Sequence, residues 1–194
     1  EIIASGLVKP DDIPNFANKI HKESGRLLSL ISDIMELSQL DEKFSDEEFA
    51  PVDLAGVAAE VAEDLRSNAE KHGITITVDT KTAVINGNRN QIYELIYNLC
   101  DNAIRYNREN GSVKIITGDD NEHPFVKVAD TGIGIPEKPH KRVFERFYRV
   151  DKSRSKETGG TGLGLAIVKH ITERHGGEIS LESSEQGTTF TARF

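Results

Sequence analysis

Apolar residues recur along this chain with two different periods, and the switches between them mark out its elements. From Ile13 the spacing is seven: Ile13, Phe16, Ile20, Leu27, Leu30, Ile34 and Leu37, interrupted by Glu23 alone. Leu28, Ile31 and Met35 widen the stripe beyond a two-helix seam, which predicts a bundle helix rather than a simple coiled coil. Residues 1–8, EIIASGLV, are apolar and lack a start signal, so the chain is expected to enter in mid-helix and break at Lys9-Pro-Asp-Asp-Ile-Pro14. One and a half helices cannot close a four-helix core, and a second copy of the chain is expected to supply the rest.

The acidic, proline-bearing stretch from Asp41 to Asp53 reads as a linker, with Phe44 and Phe49 available to dock it. A helix is predicted from Leu54 to about His72, with Val57, Val61 and Leu65 inward and Gly73 as its stop. Alternation then predicts strands at Ile74–Val78, Ala83–Asn86, Val113–Ile116, Phe125–Val128, Ile179–Leu181 and Thr188–Phe194. Between them, Asn90 to Tyr106 places Ile92, Leu95, Ile96, Leu99, Ala103 and Ile104 on one helical face. A last helix runs through Leu165, Ile167, Val168 and Ile171 to Gly176-Gly177.

Charge changes the picture locally. The net charge is -8, yet eight of the 24 Lys and Arg residues lie between Lys138 and Lys156 against two acids, Glu145 and Asp151. That local positive field suits a compact anion better than a long polyanion, so nucleic acid is not expected as a partner. Glycine clusters bracket the basic segment: Asp130-Thr-Gly132-Ile-Gly134-Ile leaves a strand, and Gly159-Gly160-Thr161-Gly162-Leu163-Gly164 opens a helix. Glycines admit backbone to a ligand, and a helix start presents unpaired N–H groups that suit phosphate. The second cluster is neither a dinucleotide fingerprint, lacking a preceding strand, nor a P-loop, lacking Gly-Lys-Ser/Thr. Each cluster alone is more readily read as a turn, and the combination is what points to phosphate. The segment from 136 to 160 has few apolar positions and is expected to cover a phosphate site and to be poorly ordered without its ligand.

Asn98 and Asn102 stand four apart on the predicted helix, one turn beyond Glu94. Their amide oxygens could complete Mg2+ coordination where phosphates supply the charge, or could simply face solvent. The lone cysteine, Cys100, lies on the apolar side of this helix, which excludes an internal disulfide. No apolar run approaches the ~18 residues of a membrane span, and no secretory leader is read.

Four motifs together carry a resemblance. Asn98-Leu-Cys-Asp-Asn102-Ala-Ile-Arg-Tyr106 resembles the N-box of the sensor histidine kinases of two-component systems. Asp130-Thr-Gly-Ile-Gly134 resembles their first glycine box, Phe144-Glu-Arg-Phe147-Tyr-Arg149 their F-box, and Gly160-Thr-Gly162-Leu-Gly164-Leu their second glycine box. The resemblance implies an α+β chain: a helical hairpin of the dimeric four-helix-bundle type at 1–40, a linker at 41–52, and a Bergerat-type α/β sandwich with a mixed sheet at 53–194.

It also implies ATP and Mg2+ as cofactors. Asp130 would accept from the adenine amino group, and a buried carboxylate there would reject guanine's carbonyl. Asn102 would hold Mg2+ and Asn98 would support that site. Arg105 and Tyr106 would lie near the phosphates or nucleoside, and Gly132, Gly134, Gly160, Thr161, Gly162, Leu163 and Gly164 would form the nucleotide turns. Arg146 and Arg149 would steady the transferring phosphoryl group, and Phe144 and Phe147 would anchor the covering segment.

In that family the acceptor is a His followed by an acidic residue and, after two more, Thr or Asn then Pro. None of His21, His72, His123, His140, His170 and His175 has those neighbours, and His21 is read as an ordinary surface residue. The expectation is a kinase catalytic portion cut downstream of its acceptor, from the cytoplasmic part of a membrane-bound bacterial sensor. Its implied partners are a second copy through the hairpin and the receiver domain of a response regulator. Two other readings are a Bergerat-fold ATPase and a non-catalytic nucleotide-binding signalling module. The ATPase needs a carboxylate to orient water, and this chain has Asn98 at that position.

Overall fold

The computed structural model describes residues 3, 5, 6, 8–41, 49–121, 123–150 and 161–194 of the chain. Its elements are α1 (Ile13–Asp41), β1 (Ala50–Asp53), α2 (Leu54–Lys71), β2 (Thr75–Thr80), β3 (Val84–Gly87), α3 (Arg89–Arg105), β4 (Ser112–Asp119), β5 (Pro124–Asp130), α4 (Gly164–Arg174), β6 (Glu178–Ser184) and β7 (Gly187–Arg193). Five strands form a mixed sheet in the order β2-β4-β5-β7-β6, with β2 parallel to β4 and the other pairs antiparallel. β1 and β3 pair separately.

Three helices cover one face of the large sheet. α3 lies between α2 and α4 and over β5, which makes it the most enclosed helix. Its Ile92, Leu95, Ile96, Leu99 and Cys100 have no exposed surface, nor have Val113 and Ile115 on β4 or Val126 on β5. The predicted apolar face of this helix is therefore the face that meets the sheet. Burial pushes the Cys100 thiol far up, which keeps it an inert packing group.

Local chemistry sets where these helices begin and end. Asp53 caps α2, its carboxylate accepting from the N–H groups of Ala55 at 3.1 Å and Gly56 at 3.3 Å. Asn88 caps α3 through Oδ1, 3.0 Å from the N–H of Gln91. α2 ends where Gly73 takes φ +68 and the Ile74 N–H reaches back to the Ala69 carbonyl at 2.9 Å.

Two expectations need revising. Ala50–Asp53, at the end of the expected linker, is strand because it pairs with β3; residues 42–48 and Phe44 lie outside the described residues. Among the first eight positions the described residues form a turn rather than α-helix, closed by the Gly6 N–H on the Ile3 carbonyl at 3.2 Å. Along α1 the heptad side chains Ile13, Phe16, Ile20 and Leu27 are exposed, as are Leu28, Ile31 and Met35, while Leu30 packs partly on the core. The side chains of Ile34 and Leu37 lie outside the described ones. No helix among the described residues is long and apolar enough to cross a membrane.

Candidate nucleotide-binding site

α3 presents a polar edge to a cavity of about 580 Å³ lined by Tyr97, Asn98, Asp101, Asn102, Arg105 and Tyr106. The spacing of four that stacks Asn98 on Asn102 also pairs Asp101 with Arg105, at 2.6 Å between Oδ2 and Nη2. Asn98 turns its Nδ2 back to the Glu94 carbonyl at 3.0 Å. Its amide nitrogen is thereby committed to the helix, and its Oδ1 lies on the side of Gly164, where an added Cβ would come within 2.7 Å.

Asp130 enters from the sheet. It ends β5 opposite Val113 of β4 and one residue beyond the last β5–β7 pair, Ala129 with Thr189, so strand pairing fixes where it enters. Its Oδ1 accepts two backbone N–H groups, from Gly132 at 2.7 Å and Thr188 at 3.1 Å. Oδ2 receives neither. Burial holds the carboxyl above the usual carboxylate range, and those two N–H bonds pull it partly back. The result is a half-buried acid with one oxygen pinned and one available to a donor in the cavity.

The glycine turns close the rim. Gly134 sits at φ +71 with its Cα against the Ser184 carbonyl, and Gly162 at φ +79 against the backbone of Phe147 and Tyr148. Both positions demand a left-handed backbone with no room for a side chain. Thr161 accepts the Leu163 N–H at 3.3 Å, and α4 then starts at Gly164 without a side chain capping its first turn from position 163. Thr161, Gly162, Gly164 and Leu165 all line the cavity, so the positive end of α4 faces it.

Most of the residues proposed from sequence converge here. Asn98, Asn102, Arg105, Tyr106, Asp130, Gly134, Arg149, Thr161, Gly162 and Gly164 line one cavity. Gly132 and Leu163 do not: Gly132 is packed under the Tyr106 carbonyl, 2.5 Å from an added Cβ, and Leu163 is wholly buried in the core. Arg146 is exposed and outside the lining. Gly160 lies outside the described residues.

The covering segment differs from expectation over 136–150. Pro139 and Val143 are buried, Phe144 meets Phe190 edge-on at 6.1 Å, and the His140 Nε2 contacts the Ile135 carbonyl at 2.9 Å. It has apolar anchors because β7 offers Phe190, a partner that the local sequence does not reveal. Phe147, expected as an anchor, is instead 57% exposed at φ +63. Positions 151–160 lie outside the described residues.

Sequence reasoning missed Thr188 and the Asp101–Arg105 pair. The pair was legible from its spacing on a predicted helix. Thr188 was not, because it reaches Asp130 across 58 positions through a backbone N–H that any residue type supplies.

The donor set can be tested against a metal. Among the described residues no three His, Cys, Asp or Glu side chains cluster to hold an ion. Neutral amides at Asn98 and Asn102, beside the space that Gly164 leaves, fit Mg2+ that arrives with phosphate oxygens rather than a resident ion.

Similarity to known proteins extends over most of the chain. The chain is 38% identical over 193 residues to the sensor-like histidine kinase SenX3 of Mycolicibacterium smegmatis, covering 98% of this chain and 50% of that protein. It thus spans about half the length of this curated relative. Full-length ShkA, solved in complex with AMPPNP, superposes with a TM-score of 0.75 at 30% identity, over 88% of this chain and 36% of ShkA. Histidine kinase ThkA, solved with the response regulator protein TrrA, gives 0.76 at 26% identity, over 100% of this chain and 56% of that one. Residues 87–194 match the family described as histidine kinase-, DNA gyrase B-, and HSP90-like ATPase. With more than half of its length in that match and sensor kinases as its relatives, the chain belongs to this ATPase family and, within it, to the sensor histidine kinases.

Proposed function

We propose that the chain binds ATP with Mg2+ between α3 and the glycine turns, and transfers the γ-phosphoryl group to a histidine of a helical hairpin to which α1 belongs. Relay to an aspartate of a response-regulator receiver domain would follow. The observation that carries this reading is the convergence of Asn98, Asn102, Asp130 and Gly162 on one cavity.

Phosphoryl transfer asks a protein mainly for positioning and charge neutralisation. Asp130 would take the adenine amino group on its available oxygen and set the base. The N–H groups at the start of α4 and the Arg105 guanidinium would receive the phosphates, with Arg149 at the same cavity for the transferring group. Asn102, supported by Asn98, would hold Mg2+, which would supply neutralisation of phosphate charge. Among the described residues the cavity's carboxylates are Asp101, paired with Arg105, and Asp130, whose Oδ1 accepts two N–H groups and whose other oxygen this reading gives to the adenine.

Labelled ATP tests the reading. Label is expected on an added hairpin that carries the family's acceptor motif, and not on this chain alone. Asn102→Ala should reduce that labelling on the order of a hundredfold. Label on this chain alone would contradict the acceptor assignment, and fast phosphate release abolished by Asn98→Ala would favour an ATPase.

The proposal divides the chain into a hairpin portion at 1–40, a linker at 41–52 and the ATP-binding domain at 53–194, with β1 overlapping the last boundary. The exposed stripe of Phe16, Ile20, Leu27 and Ile31 on α1 supports a dimer through the hairpin. Sedimentation equilibrium should show concentration-dependent dimers that Ile20→Glu and Leu27→Glu together disrupt. A monomer at all concentrations would refute that pairing for this chain.

A further inference from the structure

His175, just beyond α4, is engaged on both ring nitrogens. Nδ1 lies 2.8 Å from the Ile171 carbonyl and Nε2 lies 3.0 Å from the backbone nitrogen of Asn88. A carbonyl only accepts and an amide N–H only donates, so the two contacts together require the neutral ring with its hydrogen on Nδ1. The ring is also held by its faces and edges. Phe49, which leads into β1, stacks on it at 4.7 Å and 10°, and Phe194 beyond β7 meets it edge-on at 6.2 Å and 77°. Gly87, at the end of β3, leaves no room for a side chain: a Cβ there would sit 2.5 Å from His175 Cδ2.

The placement matters because of what Asn88 begins. Asn88 caps α3, the helix that carries Asn98 and Asn102. At the far end of α4, Gly164 abuts those same two side chains. α3 and α4 therefore run antiparallel and are joined at both ends, by Gly164 at the cavity and by His175 at the opposite end.

We propose that neutral His175 is a positioning residue that holds the entry of α3, and through it Asn98 and Asn102, against α4, while docking Phe49, and that protonation of the ring loosens both attachments. Burial, the largest influence, favours the neutral ring and holds the imidazole below its ordinary 6.5; the Ile171 carbonyl opposes this and the Arg174 charge adds to it. Among the described residues the other groups shown against the ring, Phe49, Gly87, Asn88 and Phe194, bring no ionisable side chain. Their charged neighbours Arg89 and Arg193 pair with Glu60 and Asp120. A His whose folded value is lowered contributes its full stability above the unfolded value and loses it as pH falls from 6.5 through the folded value.

A pH titration of the wild-type chain by 1H–15N NMR tests the proposal. The His175 ring is expected to titrate below 6.5, and the Asn88 amide should shift and begin to exchange at the same midpoint. Phe49→Ala should move that midpoint towards 6.5. An Asn88 amide that ignores the ring's titration, or a ring that titrates at or above 6.5, would overturn the inference; an unmoved midpoint in Phe49→Ala would overturn the docking of Phe49. A second measurement rests on the nucleotide reading above: the dissociation constant of a fluorescent ADP analogue for the wild type and for His175→Gln. The wild-type to variant ratio should rise severalfold as pH falls from about 7.5 to about 5.5, because the amide cannot be protonated, and a flat ratio would overturn the coupling to the cavity. Failure of both proteins to bind at either pH would sink the nucleotide reading instead, while the Asn88 titration still decides the role of His175.

Discussion

Asp130→Asn is expected to weaken ATP binding about thirtyfold, or ~2 kcal/mol, without lowering the melting temperature. Both halves follow from one carboxyl group. Its Oδ1 already serves the N–H groups of Gly132 and Thr188. The other oxygen is the one left for the adenine amino group, and Asn replaces it with a donor that meets the adenine donor head-on. For stability the sign reverses. Burial raises the folded pKa of Asp130, so between 3.8 and that raised value the folded state holds the extra proton. Stability thus falls as pH rises through this window, and at neutral pH the ionised carboxylate destabilises the fold. An amide keeps the two N–H bonds on its own oxygen and carries no charge to desolvate. Affinity for ATP in the wild type should weaken as pH drops into the same window, because protonation removes the acceptor. Calorimetric titration with ATP and a thermal scan read the two effects, and an unchanged dissociation constant would remove Asp130 from the site.

Gly134→Ala is expected to destabilise the protein by ~2 kcal/mol or more and to abolish nucleotide binding. Gly134 is at φ +71, and an added Cβ would overlap the Ser184 carbonyl oxygen, a backbone atom at the end of β6 that cannot step aside. The next residue is tied to the same hairpin, since the Ile135 N–H donates to Ser183 Oγ at 2.8 Å and that hydroxyl contacts the Gly187 carbonyl at 3.1 Å. Relieving the overlap therefore means breaking the attachment that holds Ile133, Gly134 and Ile135 at the cavity wall. For a protein of this size the melting temperature should fall by about 4–8 °C. Gly25→Ala provides the contrast: Gly25 is inside α1 with nothing within 4 Å of an added Cβ, so it should stabilise the helix by up to ~1 kcal/mol. A Gly134→Ala protein that melts and binds like the wild type would show that the turn is not packed as described.

Much of this was legible without coordinates. The period of Ile92, Leu95, Ile96 and Leu99 identified α3 and its buried face, and Gly73 marked the end of α2, because helix periodicity and a left-handed stop are written in consecutive residues. Asn98, Asn102, Asp130 and the glycines stood out because their residue types are costly or unusual where they lie. The first half of the covering segment was misread for a different reason. Its anchors, Val143 and Phe144, look sparse locally, and Phe144 gains its partner from β7, 46 positions on.

The order of the elements, the apolar faces of the helices and the chemical types available for a nucleotide were determined by the sequence itself, since each depends on neighbours within a turn or a strand. Tertiary structure alone decided which of those groups meet. Strand pairing set Asp130 beside Thr188. Packing of α4 on α3 brought Gly164 to Asn98 and His175 to Asn88. Those contacts join residues far apart in the chain through backbone atoms and shape, and neither leaves a mark on residue type at both ends.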